Sequence, residues 1–239
     1  TDRDSYYGPG NDPLKAYGKT TDLTAMGGAQ YVHTFDKCFF MPSDLTAGLE
    51  YNRDRLKDNM WGYNRHTDQT VNIYSAFLQN EWKNDRWGIL IGGRLDKHNM
   101  VDNVIFSPRA NLRFNPTQNI NLRLSYSSGF RAPQAFDEDM HIENVGGTVA
   151  MIERAKDLKE EKSQSFSASA DMYHRFGAFQ TNLLIEGFYT RLTDVFVLGE
   201  PYDRGDGILV KTRSNGPGAK VMGLTLEGKV AYLSILKIQ

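Results

Sequence analysis

Apolar and polar residues alternate strictly over stretches of about nine to twelve positions, and this pattern limits the chain to a narrow set of folds. In 119–128, Ile120, Leu122, Leu124 and Tyr126 fall on one face, with Asn121, Arg123, Ser125 and Ser127 on the other. In 106–114 the two faces are Phe106, Pro108, Ala110, Leu112 and Phe114 against Ser107, Arg109, Asn111 and Arg113. Phe166, Ala168, Ala170 and Met172 alternate with Ser165, Ser167, Ser169 and Asp171. Met222, Leu224, Leu226, Val230 and Tyr232, and also Leu45, Ala47, Leu49 and Tyr51, repeat the pattern. Period two belongs to a strand with one apolar and one wet face. These segments exceed the usual five or six residues of globular strands and match a tilted bilayer crossing.

The pattern predicts strands near 22–35, 43–56, 69–83, 86–97, 104–115, 119–129, 162–175, 179–196 and 208–233. The last reads either as one strand bulged at Asn215-Gly216-Pro217-Gly218 or as two, since Pro and Gly inside a strand mark a bulge or break. Residues 1–20 read as part of a loop. A short helix is expected within 148–161, capped by Thr148, with Val149, Ile152 and Ala155 at helical spacing. No domain linker interrupts the chain.

Composition leaves two settings open. No apolar run approaches the roughly 18 residues of a transmembrane helix, and mean hydropathy is −0.52. A soluble protein fits these values, and so does a membrane barrel, whose strands average lipid-facing and wet residues. Connections favour the barrel: short turns at 84–85, 115–118 and 176–178 alternate with longer polar loops near 57–68, 97–105, 129–162 and 198–207. Short on one side and long on the other is the asymmetry of outer-membrane barrels. The 12% aromatic content suits interfacial girdles. With 28 basic and 29 acidic residues and no basic stripe, nucleic acid is not an expected partner. The single cysteine, Cys38, has no internal disulfide partner and reads as a small apolar residue.

Four stretches go beyond periodicity. Ser107-Pro108-Arg109-Ala110-Asn111-Leu112 leads into Tyr126-Ser127-Ser128-Gly129-Phe130-Arg131-Ala132-Pro133. Asp157-Leu158-Lys159-Glu160-Glu161-Lys162-Ser163 opens a later strand, and Ala219-Lys220-Val221-Met222-Gly223-Leu224-Thr225-Leu226-Glu227 another. In this order they resemble the barrel of TonB-dependent receptors, with S-P-R-x-x-L, Y-x-x-G-F-R-A-P, L-K-P-E-x-S and A-x-x-x-G-[LV]-E-x-E patterns. Glu160 departs from the usual Pro, and Thr225 from the commoner acidic residue. The resemblance implies an all-β, antiparallel transmembrane barrel of 22 strands around an N-terminal plug. Residues 1–239 are then expected to be part of that barrel domain, without the plug and the C-terminal strands. It further implies a receptor in the outer membrane of a Gram-negative bacterium, importing a siderophore, haem, corrinoid or glycan with energy from the TonB system. The implied partners are the outer-membrane bilayer, an extracellular ligand and, through the plug, TonB. A soluble β-sandwich binding module and an outer-membrane barrel hydrolase are the alternatives.

Asp137, Glu138, Asp139, His141 and Glu143 gather acidic chemistry on the longest loop. Hard cations want several oxygen ligands, yet the spacing lacks the EF-hand pattern, and a solvated acidic loop is the plainer reading. Trp61, Tyr63, Arg65 and His66 on another long loop supply contact area and fork-like hydrogen bonding. The resemblance places Arg131 at the extracellular end of its strand, facing either a ligand or a neighbouring loop carboxylate. The expected ligand-binding set is therefore Trp61, Tyr63, Arg65, His66, Arg131, Asp137, Glu138, Asp139 and His141. His33, His66, His98, His141 and His174 form no zinc spacing, and no nucleophile-elbow, P-loop or dinucleotide motif occurs. No catalytic residue, metal site or cofactor is expected.

Overall fold

The computed structural model describes residues 1–6, 17–61, 65–135, 143–145, 148–205 and 208–232. Among them every regular element is a β-strand. In chain order these are β1 (Asp2–Tyr6), β2 (Tyr17–Cys38), β3 (Met41–Met60), β4 (Arg65–Lys83), β5 (Trp87–His98), β6 (Ile105–Thr117), β7 (Ile120–Arg131), β8 (Glu143–Val145), β9 (Thr148–Arg154), β10 (Glu161–Phe176), β11 (Phe179–Thr193), β12 (Phe196–Leu198), β13 (Tyr202–Asp203), β14 (Leu209–Asn215) and β15 (Ala219–Tyr232). Ten of them form one sheet in the order β1-β2-β3-β4-β5-β6-β7-β10-β11-β15. Each neighbouring pair is antiparallel, as hairpin succession demands. The remaining five make a smaller sheet, β12-β14-β9-β8 with β13 on β14.

The register gives the alternation its meaning. Cross-strand partners share a face, and Leu112, Leu124, Ala168, Gly187 and Leu224 run as one row across β6, β7, β10, β11 and β15. That face is apolar and bare: Leu224 is 77% exposed, Leu226 69% and Val230 73%. A sheet bearing so large an apolar face needs a non-aqueous neighbour. The opposite face carries Arg113, Arg123, Ser169 and Glu186 in one row. There Arg94 bridges Glu50 on β3 and Asp96 on its own strand, and Ser75 donates to Asp96.

Aromatic pairs mark two levels on the bare face. At the short-turn end Phe40 stacks on Trp82 with centroids 5.7 Å apart, Trp87 on Phe114 at 4.2 Å, and Phe179 meets Tyr232 at 5.1 Å. Toward the other end Tyr51 meets Tyr74 at 4.9 Å and Tyr126 meets Phe166 at 4.8 Å. Phe166 and Phe176, ten positions apart on β10, span about 33 Å along the strand. Tilted as barrel strands are, that becomes an apolar band of about 25 Å between aromatic girdles, the height a bilayer requires. The turns at Phe39-Phe40 and Gly177-Ala178 are tight, with Phe39 and Gly177 in the left-handed region (φ 62° and 57°). They set the end that is periplasmic in such barrels.

Two expectations change, and one open alternative is decided. Residues 1–20 are not all loop: β1 pairs with the start of β2 from Asp2↔Thr21 to Tyr6↔Tyr17. No helix forms within 148–161. Thr148–Arg154 is β9, held by a parallel pairing with β14 from Leu209↔Ala150 to Arg213↔Arg154, and its β-branched Thr148, Val149 and Ile152 suit a strand. Finally, 208–233 is two strands, because Gly216, Pro217 and Gly218 end β14 in the small sheet before β15 joins the large one. β2, β3 and β4, at 22, 20 and 19 residues, are longer than a tilted bilayer crossing needs and project beyond the shorter strands at the long-loop end.

Candidate functional site

The projecting β3–β4 hairpin and the small sheet face each other at the long-loop end. Between them lies a cavity of about 660 Å³ whose lining includes Arg65, His66, Glu153, Arg154, Lys156 and Arg204. Arg65 opens β4 and forks onto the buried carboxylate of Asp58, with Nη2 at 2.7 Å and Nε at 3.2 Å from Oδ2. Thr20 donates to the other oxygen of Asp58 at 2.7 Å. The Arg65 side chain keeps 11% exposure and Asp58 4%, so the pair is a strut fixing the cavity's edge. Beside it, a ring nitrogen of His66 lies 3.0 Å from Asn59 Oδ1.

Gln69, four residues beyond Arg65 on β4, ties three segments together. Its carbonyl accepts the Ala135 N–H at 2.7 Å and Arg154 Nη1 at 3.1 Å, and its amide donates to Ala135 O. Arg154 also donates to Pro133 O at 2.8 Å. The chain leaving β7 and the small sheet are thereby fastened to one strand of the wall. Asn215 does the same from behind, accepting Lys159 N–H and donating to Lys159 O and Asp194 O. Met151 and Val210 are fully buried in the small sheet, at 1% and 0% exposure, so it packs as a body rather than as strands lying in solvent.

Of the expected ligand-binding set, Arg65 and His66 line this cavity. Trp61 stands on the same hairpin, half exposed at 51%. Arg131 ends β7 on the polar face, opposite Glu161 in register, with its guanidinium 5.5 Å from the Phe196 ring. Tyr63, Asp137, Glu138, Asp139 and His141 lie outside the described residues. Glu153, Arg154, Lys156 and Arg204 were not anticipated from sequence, because their grouping depends on the β9–β14 pairing. Among the described residues no cluster of three or more His, Cys, Asp or Glu is placed to hold a metal ion. No helix is long and apolar enough to cross a membrane, which says nothing of strands.

The family model described as TonB dependent receptor-like, beta-barrel matches residues 1–237. The chain belongs to the TonB-dependent receptor β-barrel family. Solved structures agree on the fold. The siderophore receptor PirA from Pseudomonas aeruginosa superposes with a TM-score of 0.69 at 17% identity, over 89% of this chain and 39% of that one. A mutant ferric enterobactin receptor, PfeA, from the same organism in complex with enterobactin gives 0.68 at 20% identity, over 94% and 37%. The outer membrane transporter YddB from Escherichia coli gives 0.67 at 13% identity, over 90% and 31%. The chain thus spans about two fifths or less of these structures. No curated protein matches the sequence. As a TonB-dependent receptor barrel, the chain has relatives that are transport receptors rather than enzymes, and the bare apolar band takes its place as the lipid-facing surface.

Proposed function

We propose that the chain forms part of the wall and outer mouth of a Gram-negative outer-membrane receptor that captures a scarce nutrient and imports it with energy relayed by TonB. In this reading residues 1–239 belong to a larger barrel that surrounds a plug, and the plug carries the contact with TonB. The barrel's contribution is binding and passage, without covalent chemistry. The observation that carries the reading is the cavity between the projecting β3–β4 hairpin and the small sheet, on a family member's long-loop end.

Beside His66, its lining carries Arg154 and Lys156 in addition to the ion pairs Arg65–Asp58 and Arg204–Glu153, leaving an excess of positive charge. That excess suits an anionic ligand, which forked guanidinium donors hold well. A ferric siderophore complex is therefore favoured over a neutral glycan, in line with what the structural neighbours' names say of them. Arg131, Trp61, Tyr63, Asp137, Glu138, Asp139 and His141 complete the proposed mouth.

The test is uptake by cells producing the full-length protein, with radiolabelled ferric enterobactin, haem, cobalamin and a maltooligosaccharide. The expected result is accumulation of the anionic iron chelate, at least about tenfold above cells lacking the receptor, and abolished when TonB is deleted. Accumulation that persists without TonB, or of none of the four, contradicts the proposal.

A further inference from the structure

The lipid-facing surface carries neighbouring cations outward of its aromatic row. Outward of the aromatic row Tyr126–Phe166–Tyr189, the register places Ser128, Gln164, Arg191 and Lys220 side by side on the same face. One step further out come Phe130, Lys162 and Thr193. A cavity of about 560 Å³ opens at this level, where Glu160, Lys162 and Arg191 line it together with Phe106, Pro108 and Tyr126.

The charges there do not balance. Glu160 is engaged with Lys162 at 3.0 Å. Burial would raise the Glu160 carboxyl, but its own backbone N–H and the Lys162 ammonium outweigh this and hold it below the usual carboxylate range. Arg191 and Lys220 sit directly opposite each other across β11 and β15. Both are exposed, and neither makes an ion pair among the described residues. Like charges directly opposite on a sheet are destabilising. An external anion removes that cost, and a phosphate suits it: the Arg fork takes two oxygens while the Lys supplies a point charge.

We propose that Arg191 and Lys220, flanked by Gln164 and Lys162, bind the phosphate of an outer-leaflet lipid. Its acyl chains lie down the apolar face inward of these residues, over Tyr126, Phe166 and Tyr189. Continuity between these cations and the apolar band selects a lipid over a free anion, which gains nothing from that face. The assignment rests on the outer-membrane placement proposed above, but not on import: a receptor can fail to carry the tested nutrients and still hold this lipid.

The test is binding of diphosphoryl lipid A to the full-length protein in dodecyl maltoside micelles, followed by native mass spectrometry. Arg191→Gln with Lys220→Gln is expected to weaken binding at least about tenfold, roughly 1.4 kcal/mol. Arg191→Lys with Lys220→Arg keeps it within about threefold, and Arg109→Gln on the polar face leaves it unchanged. Phosphatase-treated lipid A is expected to bind the unaltered protein about as weakly as intact lipid binds the Gln variant, a comparison that needs no substitution. Equal affinity for treated and untreated lipid, an unaffected Gln variant, or inorganic phosphate binding as tightly as the lipid overturns the proposal.

Discussion

Arg at position 170 is expected to destabilise the barrel by about 2–4 kcal/mol, while Arg at 169 changes stability by less than about 1 kcal/mol. Ala170 and Ser169 are neighbours on β10 and similar in size, but they point to opposite faces. Ala170 lies between Leu122 and Ile185 in the apolar band, with Phe166 and Phe176 toward its two edges. Ala170→Arg brings a guanidinium to near mid-bilayer depth, where long side chains reach an interface only by distorting the lipid. Ser169 lies between Arg123 and Glu186 on the wet face. Ser169→Arg there meets one like and one opposite charge, and water screens both. Urea titration of the full-length protein refolded into lipid vesicles measures the two variants. Equal destabilisation removes the assignment of faces.

Loss of the Asp58 carboxylate is the second large effect. Asp58→Ala takes away both the forked partner of Arg65 and the acceptor of Thr20, in a place where Asp58 is 4% exposed. Breaking a buried pair from one side costs about 3–5 kcal/mol, since the remaining charge stays desolvated. Arg65 also donates to Met60 Sδ at 2.9 Å, so the lower end, about 3 kcal/mol, is expected. The loss falls on the projecting ends of β3 and β4, outside the membrane. Hydrogen exchange is the right measurement: amides of Leu56–Met60 and Arg65–Gln69 lose about two orders of magnitude of protection, while β6 and β7 keep theirs. Asp58→Ala with Arg65→Leu restores a large part, because both charges are then gone. A uniform loss over all strands contradicts the local role. Ligand affinity measured on Arg65→Ala alone would confuse this strut with a ligand contact.

The wall of the barrel was legible because bilayer and water impose opposite demands at every second residue. Ile120, Leu122, Leu124 and Tyr126 needed no partner to reveal their face. Where strands leave the membrane that demand lapses. Lys57, Asp58 and Asn59 carry no apolar alternation, so the extended ends of β3 and β4 read as loop. β1 is hidden for the same reason, with Asp2, Arg3 and Asp4 paired along the outer part of β2. β9 misled differently: Val149, Ile152 and Ala155 fit a helical spacing. The strand that claims β9 begins at Leu209, far along the chain, where no local window reaches.

The mouth was half legible. Arg65 and His66 stood out by residue type on a long loop, and the cavity includes both. Gln69 gave no signal, since a neutral amide acquires its role only when Ala135 and Arg154 arrive from distant segments. Arg191 and Lys220 likewise become a pair only through the β11–β15 register.

The account rests on one face of this sheet meeting lipid, and spin-label accessibility along β7 tests that directly. Single cysteines from Ile120 to Arg131, in a full-length protein with Cys38→Ser, are labelled and reconstituted into vesicles. Oxygen collision rates are expected to peak at Leu122, Leu124 and Tyr126, and those of a water-soluble nickel chelate at Asn121, Arg123, Ser125 and Ser127, strictly out of phase. If Leu122, Leu124 and Tyr126 are shielded from both reagents, the apolar face is a protein core, and the account is wrong.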